Sequence, residues 1–267
     1  MAHTAEYEVL QQPDIYPEAT SKVEVYETHI SRVYLTNRHV YKIKKPLNLG
    51  FLDFSTLAQR RFFCEQELAL NRRLSTDVYL DVIAIHQSDH HVNFNSDGAV
   101  VDYAVKMRRL SEEHALHTML RRGPLSETLM TALAERLAAF HRAHPLSSSE
   151  EVYGTLERVR ADWEENFAQT ADHIGQTLSQ AAYDRIQYAV NTFMYHHADW
   201  FTQRVEAARI RDCHGDLRAE HIYFDQGAFQ IIDCIEFNHR FRYIDVASEV
   251  AFLAMDLDRL GAPDEAR

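Results

Sequence analysis

The chain has 267 residues, of which 46% are hydrophobic, so it can bury a substantial core and disorder is not expected. Its 28 basic and 40 acidic residues give a formal charge of −12, which disfavours general nucleic-acid binding. The three cysteines have no paired spacing, which favours a reducing compartment over a disulfide framework. Neither a secretory signal nor an apolar run of about 18 residues is visible, so we expect a cytoplasmic protein without a membrane partner.

The first hundred or so residues carry strand patterns around one helical segment. Thr36, Asn37 and Arg38 predict the turn of a hairpin between the first two extended runs, and Asn95 to Gly98 predicts a polar turn between the last two. Residues 56–74 have the spacing of one long helix. The predicted strands lie within residues 23–36, 39–45, 78–87 and 99–110. This pattern predicts a sheet with one helix against it.

From Ser126 onward the pattern becomes helical. The first helix carries an apolar stripe made of Leu129, Leu133, Leu137, Phe140 and His144. Two further helical runs are predicted, from about Thr155 to His173 and from about Gln180 to Ala208. A short strand follows them and leads into the densest cluster of polar residues in the chain. The sequence therefore predicts a β-rich lobe followed by a helical lobe.

That polar cluster is the segment CHGDLRAEHIYF, which begins at Cys213 and places Asp216 on a loop. A turn at Asp225 to Gly227 predicts a hairpin whose second arm ends near Asp233, so that two carboxylates converge. Phosphoryl transfer needs such a pair. One carboxylate orients a hydroxyl and accepts its proton, and the other holds Mg²⁺, which prefers oxygen ligands.

These motifs resemble those of the aminoglycoside phosphotransferase and choline kinase-like family, a branch of the protein-kinase-like fold. His214-Gly215-Asp216-Leu217 is similar to the family's catalytic loop, HGDLxxxN, and Ile231-Ile232-Asp233 is similar to its metal-binding segment. Longer runs, such as YKIKKPLNLGFLDFST, look like a bacterial group often fused to a P-loop kinase domain, which implies such a domain or partner. The sequence itself contains no GxxxxGK[ST] motif.

The resemblance implies a two-lobed α+β fold, with a nucleotide-binding lobe at residues 1–108 that contains a sheet of about five strands, and a helical lobe at 109–267. ATP and Mg²⁺ are expected between the lobes, and the reaction is transfer of the γ-phosphoryl group to a hydroxyl of a small molecule. Asp216 takes the catalytic role and Asp233 binds the metal. The acceptor stays open among aminoglycosides, other sugars, choline-like amines and protein side chains, although the acidic chain favours a cation.

Further roles follow from the same resemblance. Lys42 is the expected phosphate ligand, with Lys44 and Lys45 as neighbours of equal charge, and Val40 is expected to lie against the adenine. Glu67, rather than Glu65, is the expected partner of the lysine. The segment from Met107 to Leu110 is expected to offer backbone groups to the adenine edge. Asp245 resembles the buried acid that braces the catalytic loop, and Glu236 is left open between assisting the metal and facing solvent.

The sequence departs from the family pattern at two places. His221 stands where the family usually has Asn, and it could bind a metal only as a neutral imidazole. The turn around His29, Ile30 and Ser31 lacks the glycines that let amides approach phosphates, so we expect Ser31 to replace some of those contacts. These departures favour an alternative, a non-catalytic kinase-like module that binds nucleotide or regulates a partner. The sixteen histidines are otherwise interpreted as surface or core residues, because none forms an HExxH motif.

Overall fold

The computed structural model describes residues 7–88, 91–94 and 98–267. A six-stranded antiparallel sheet forms the first half, in the order β1-β2-β3-β6-β4-β5. Its strands are β1 (Glu24–Glu27), β2 (Ser31–Leu35), β3 (His39–Lys44), β4 (Tyr79–Ser88), β5 (His91–Asn93) and β6 (Ala99–Arg108). The predicted sheet is therefore confirmed, and the described residues add one strand to the expected number.

The first extended run of the sequence forms two strands instead of one. The Thr28 hydroxyl accepts a hydrogen bond from the Ser31 N–H at 2.9 Å, which closes a turn between β1 and β2. A threonine hydroxyl can bond the backbone in this way and so interrupts an otherwise continuous strand. The predicted hairpin is confirmed between β2 and β3, where the Thr36 N–H donates to the His39 carbonyl at 2.9 Å. Most of the turn predicted at Asn95 to Gly98 lies outside the described residues.

The predicted long helix is α1, Leu57–Asn71. It begins with a capping box, in which Thr56 and Gln59 satisfy each other's backbone N–H groups. Its buried residues are Arg60, Cys64, Glu67 and Asn71, which recur at helical spacing on one face. Three of these four side chains are polar or charged. Because buried charged groups need partners, this face indicates a polar interior at the sheet rather than a purely apolar core.

Two apolar clusters flank that interior. One is rich in tyrosine and includes Tyr16, Tyr34 and Tyr41 together with Ile85. The other places Cys64 of α1 against Tyr79, Val105 and Met107 of the sheet and against Val78, which precedes β4, with Val40, Leu110 and Ile232 packed beside it. Fully burying a side chain of this size contributes about 1.5–3 kcal/mol, so these clusters stabilise the sheet and fix α1 on it.

Six more α-helices occur among the described residues: α2 (Leu116–Arg122), α3 (Glu127–Ala143), α4 (Leu156–Ala171), α5 (Gln180–His196), α6 (Ala198–Glu206) and α7 (Val246–Arg259). The apolar stripe predicted for α3 is confirmed at Leu133, Leu137 and Phe140, which are buried. The run predicted as one helix up to Ala208 is divided between α5 and α6. His197 leaves helical geometry there, with φ −121° and ψ 25°.

Four short strands complete the fold, in two antiparallel pairs. β7 (Ile210–Asp212) pairs with β10 (Tyr243–Asp245), and β8 (Ile222–Asp225) pairs with β9 (Ala228–Ile231). The predicted turn between β8 and β9 is confirmed. Gln226 and Gly227 both have positive φ, as a two-residue hairpin turn of this handedness requires.

The chain divides into two compact units. One comprises the residues up to Arg136 together with Asp216–Asn238 and Phe252–Arg267, and the other comprises Leu137–Gly215 and His239–Ala251. The boundary at residue 108 between a nucleotide-binding lobe and a helical lobe stays a prediction. Within the part of the chain described above, no helix combines the length and the apolar character that crossing a membrane requires.

Candidate active site

Two lysines of β3 carry the centre of the site. Lys42 and Lys44 are two residues apart and therefore point to the same face of the strand. Lys42 Nζ lies 2.8 Å from Glu67 Oε1 of α1 and also pairs with Asp233. Lys44 Nζ donates to Glu67 Oε2 at 2.7 Å and also pairs with Glu236. Five charged groups thus alternate in sign, with Asp233 and Glu236 at the two ends.

Burial and charge oppose each other in this network. Burial lowers the pKa of the Lys42 ammonium, but Asp233 and Glu67 overcome it and hold that pKa well above its ordinary value. Burial raises the pKa of Glu67, but its two lysine neighbours bring that pKa below its ordinary value. Burial raises the pKa of Glu236, which has only one lysine beside it. Lys42, Lys44 and Glu67 are therefore held in their charged forms.

The segment that carries Asp233 is anchored to both α1 and the sheet. The Asp233 N–H donates to the Tyr79 hydroxyl at 3.1 Å, and the next N–H, of Cys234, donates to Asn71 Oδ1 at 2.9 Å. Asp233 lies two residues beyond β9 with φ at 65°, in the left-handed region that few residues other than glycine, Asn and Asp adopt. The Asp233 side chain keeps 43% of its surface exposed, so its carboxylate remains accessible to a ligand.

Asp216 lies on the predicted loop and is clamped by a neighbour. Arg218 Nε lies 3.0 Å from Asp216 Oδ1, and Arg218 Nη2 donates to Oδ2 at 3.0 Å. This two-point contact of a guanidinium with a carboxylate fixes the orientation of Asp216. The Asp216 side chain retains 30% exposure, so the clamp does not bury the acid.

His221 connects the two predicted acids. Its Nδ1 lies 2.9 Å from the Asp216 carbonyl and 3.8 Å from Asp216 Oδ2, and its Nε2 lies 3.7 Å from Asp233 Oδ2. The short contact to a carbonyl places a proton on Nδ1, and Nε2 faces both the Asp233 carboxylate and Arg218 Nη2, which lies 3.5 Å away. An imidazole lone pair and a carboxylate oxygen that face each other form a donor set for a divalent cation. The residues present therefore fit a metal held by Asp233 and His221.

Residues predicted to contact the adenine lie together in the second apolar cluster. Val40, Met107 and Leu110 pack in the same group as Ile232, the neighbour of Asp233. Among the described residues, none bonds to the main-chain N–H or C=O of Leu110. Leu110 therefore has both backbone groups available for a ligand, while Val40 and Met107 form an apolar surface beside it.

Ser31 has a different environment from its expected one. The side chain is fully buried at the start of β2, and its hydroxyl has no hydrogen-bond partner among the described residues. A buried hydroxyl has no direct path to a phosphate, so this geometry lends the predicted contact no support. The roles expected for the other site residues also stay predictions, although Lys42, Glu67, Asp216, His221 and Asp233 are brought together by the contacts above.

The backbone of the catalytic-loop motif is braced by a glutamate. Glu249 Oε1 of α7 accepts hydrogen bonds from the N–H groups of His214 at 2.6 Å and Gly215 at 2.9 Å. Its second oxygen, Oε2, lies 2.6 Å from His141 Nε2. The expectation that Asp245 performs this role is wrong, because the Asp245 carboxylate pairs instead with Arg204 and caps the Ala247 N–H. One helical turn along the chain separates the predicted acid from the observed one.

Three potential metal ligands meet at this brace. His141, Cys213 and Glu249 place their ligand atoms within 4.8 Å of one another, and all three residues are buried. Both carboxylate oxygens of Glu249 are already engaged by N–H groups and by the imidazole. These contacts satisfy the buried carboxylate without a metal, so we interpret the cluster as a structural brace.

Comparisons with known proteins bear on the fold. No protein-family model matches the chain. A solved structure of an aminoglycoside phosphotransferase, APH(2")-IIIa, in complex with GDP and kanamycin aligns over 99% of this chain and 81% of its own, with TM-score 0.53 and 16% identity. The GDP complex of wild-type aminoglycoside 2'-phosphotransferase-IIIa aligns over 99% and 80%, with TM-score 0.51 and 17% identity. The chain has the protein-kinase-like fold of the aminoglycoside phosphotransferases. The α+β fold that the motifs imply is therefore confirmed.

Relatives with clearer sequence similarity have no described activity. Uncharacterized proteins of Mycobacterium tuberculosis and Mycobacterium bovis are 34% identical to the chain over 242 residues, which is 91% of the chain and 47% of each relative. The chain therefore spans about half the length of the curated relatives it matches. The association with a P-loop kinase domain stays a prediction.

Sequence reasoning missed three residues of this phosphotransferase-fold site. From the sequence, Lys44 has no role beyond that of a neighbour of equal charge, whereas in the structure both Lys42 and Lys44 pair with Glu67. The i, i+2 spacing within one strand could have indicated this arrangement. Arg218 stands two residues after Asp216, close enough in sequence to suggest a clamp. Glu249 is 35 residues from the loop that it braces, and no local signal in the sequence identifies it.

Proposed function

We propose that the chain is an ATP-dependent phosphotransferase that moves the γ-phosphoryl group to a hydroxyl of a small molecule. The observation that carries the proposal is the position of His221, which lies within 3.8 Å of an Asp216 oxygen and 3.7 Å of an Asp233 oxygen. One imidazole ring thus separates the two acids. That spacing suits a phosphoryl group that one acid would hold through a divalent cation, attacked by a hydroxyl that the other acid orients.

Asp233 and His221 would hold Mg²⁺, which when bound neutralises the charge of the phosphates. Lys42, kept cationic by its neighbours, exchanges its contact with Asp233 for the phosphate oxygens of the nucleotide. The contact with Glu67 limits how far the Lys42 ammonium can move from its present position. Val40 and Met107 pack against the base, and the backbone groups of Leu110 bond its edge.

Asp216 acts on the acceptor. The hydroxyl proton passes to the Asp216 carboxylate as the oxygen–phosphorus bond forms, and the bond between the γ-phosphorus and the bridging oxygen breaks to release ADP. General-base assistance of this kind contributes about 10²–10⁴-fold, while the rest of the acceleration comes from positioning and electrostatic stabilisation. Arg218 orients Asp216 before the acceptor arrives and yields one carboxylate oxygen to the hydroxyl.

The decisive experiment substitutes Asp216→Asn. We expect this variant to keep the rise in melting temperature that Mg·ATP produces, because Asp233, His221 and Lys42 remain. We expect phosphorylation to fall by about 10²–10⁴-fold, because the base is absent. Asp258→Asn, an exposed acid on α7, is the matched control and should retain full activity. Equal activity of Asp216→Asn and the wild type would remove the assigned base.

A second candidate is a non-catalytic module that binds nucleotide or regulates a partner. The observation that favours it is the clamp of Arg218 on both oxygens of Asp216, which occupies the carboxylate in the absence of acceptor. Nucleotide binding without transfer to any member of a panel of hydroxylated metabolites would favour this module. Transfer that depends on Asp216 would exclude it.

The panel should include aminoglycosides, other sugars and choline-like amines, together with a protein acceptor. Both ATP and GTP should be tested as donors, because the two solved structures of this fold contain GDP. A net charge of −12 attracts cations over long range, so we expect cationic acceptors to react faster at low ionic strength.

The cytoplasmic location remains part of this proposal and can be checked by fractionation.

A further inference from the structure

Lys44 is an interior lysine with no open path to a ligand. Its side chain is only 1% exposed, against 12% for Lys42 on the same face of β3. Three groups surround its ammonium: Glu67 Oε2 at 2.7 Å, the Glu236 carboxylate, and the ring of Phe54 with its centroid at 4.9 Å. A lysine enclosed in this way acts through its neighbours rather than on substrate.

The charge pattern explains what those neighbours need. Glu67 has no exposed surface and carries one negative charge between two ammonium groups. A buried carboxylate left without a cation is costly, so removing its cation strongly destabilises the folded protein. If Lys42 were the only partner of Glu67, moving Lys42 toward a phosphate would leave this carboxylate uncompensated. Lys44 keeps Glu67 paired whether Lys42 contacts Asp233 or a nucleotide.

Glu236 completes the arrangement from the other side. It lies three residues after Asp233 and is buried, so the Lys44–Glu236 pair ties β3 to the segment that carries the metal-binding acid. The two residues are 192 positions apart in sequence. Such a tether fixes the distance between Lys42 and Asp233, the two groups expected to contact the phosphates and the metal.

We propose that Lys44 and Glu236 are positioning residues, which hold Glu67 and the Asp233 segment so that Lys42 and Asp233 can bind a Mg·nucleotide together. This inference rests on the proposed function. It also resolves the open role of Glu236, whose carboxylate pairs with Lys44 and acts on the metal site only through that contact.

The test is the double variant Lys44→Met/Glu236→Met. Replacing a buried ion pair by apolar side chains of similar size is often neutral for stability, whereas removing one partner alone leaves the other charge buried and unpaired. We therefore expect the double variant to fold, with a melting temperature near that of the wild type in the absence of nucleotide. We expect its Kd for Mg·ATP, measured by calorimetry, and its KM for ATP to rise by roughly 10- to 100-fold, as misplacement of contacting groups does.

Lys45→Met is the matched control, because Lys45 is the next residue of the chain and pairs with Glu27 at the surface. Its Kd for Mg·ATP should equal that of the wild type. A double variant with unchanged Kd would overturn the inference while leaving the proposed function in place, and so would a lower melting temperature with unchanged Kd, which is the signature of a purely structural pair. A wild-type protein that binds neither ATP nor GTP would overturn both.

Discussion

The side chain of Asp233 belongs to a network of ionised side chains, whereas the backbone that leads into Asp216 is held by hydrogen bonds to a single carboxylate. Around Asp233, three carboxylates and two ammonium groups alternate in sign. At the start of the catalytic loop, one oxygen of Glu249 accepts two N–H bonds. A charge network leaves Lys42 and Asp233 able to exchange partners when a ligand arrives. Main-chain bonds offer no such exchange, which suits a loop whose conformation must not change.

The largest effect should follow from removing the brace by Glu249→Ala. The buried N–H of His214, the partly buried N–H of Gly215 and the imidazole of His141 would lose their acceptor, so we expect a loss of about 3 kcal/mol in the free energy of unfolding. Urea unfolding measures this loss, with the exposed Asp258→Ala of the same helix as control. If Glu249→Ala lost no more unfolding free energy than the control, the loop would hold its conformation without Glu249. The contrast between the Asp233 charge network and the Glu249 brace would then be wrong.

A smaller effect should appear in the pH dependence of stability. Burial raises the pKa of Glu249, but the bonds from His141 and the loop N–H groups outweigh burial and hold that pKa below its usual value near 4.5. The stabilisation from a lowered pKa is complete above the unfolded-state value and is lost as the pH falls through the folded-state value. The difference in unfolding free energy between wild type and Glu249→Gln should therefore shrink below about pH 4.5. A difference that stays constant down to pH 3 would contradict this assignment.

The smallest effect belongs to the surface end of β3. Lys45→Met removes an ion pair with Glu27, whose side chain is 53% exposed. Exposed pairs contribute about 0–1 kcal/mol, so we expect the unfolding free energy of this variant to change by no more than about 0.5 kcal/mol. Lys44→Met, one residue away, should cost several-fold more in the same urea titration. Similar losses for the two variants would mean that the interior network is as weakly coupled as a surface pair.

Local signals predicted most of the fold. Strand alternation gave the sheet and the β2–β3 hairpin, and the spacing of Leu133, Leu137 and Phe140 gave the buried face of α3. The errors arose where one side chain changes the backbone locally. The Thr28 hydroxyl divides the first extended run, and the backbone at His197 divides the long helical run. Periodicity averages over many residues and cannot register such single interruptions.

The candidate site was predictable where chemistry is carried by short motifs. The motifs name Asp216, His221 and Asp233, and the structure places His221 within 3.8 Å of Asp216 and 3.7 Å of Asp233, while the roles of all three stay predictions. The sequence did not indicate the contacts of residues whose partners lie far away in the chain. Lys44 depends on Glu236, and Glu249 depends on the loop at His214, so their functions exist only once distant segments have packed. For Asp245 the resemblance was misleading, because a glutamate one turn later performs the bracing.

The left-handed backbone at Asp233 restricts which residue types this position can accept. An aspartate tolerates φ near 65° better than most residues, but glycine tolerates it best, since it has no Cβ. Backbone geometry alone therefore favours glycine at this position, whereas the metal-binding role proposed for Asp233 requires a carboxylate. Under the proposed function, Asp233 keeps a left-handed main chain because only a residue with a carboxylate can serve the metal.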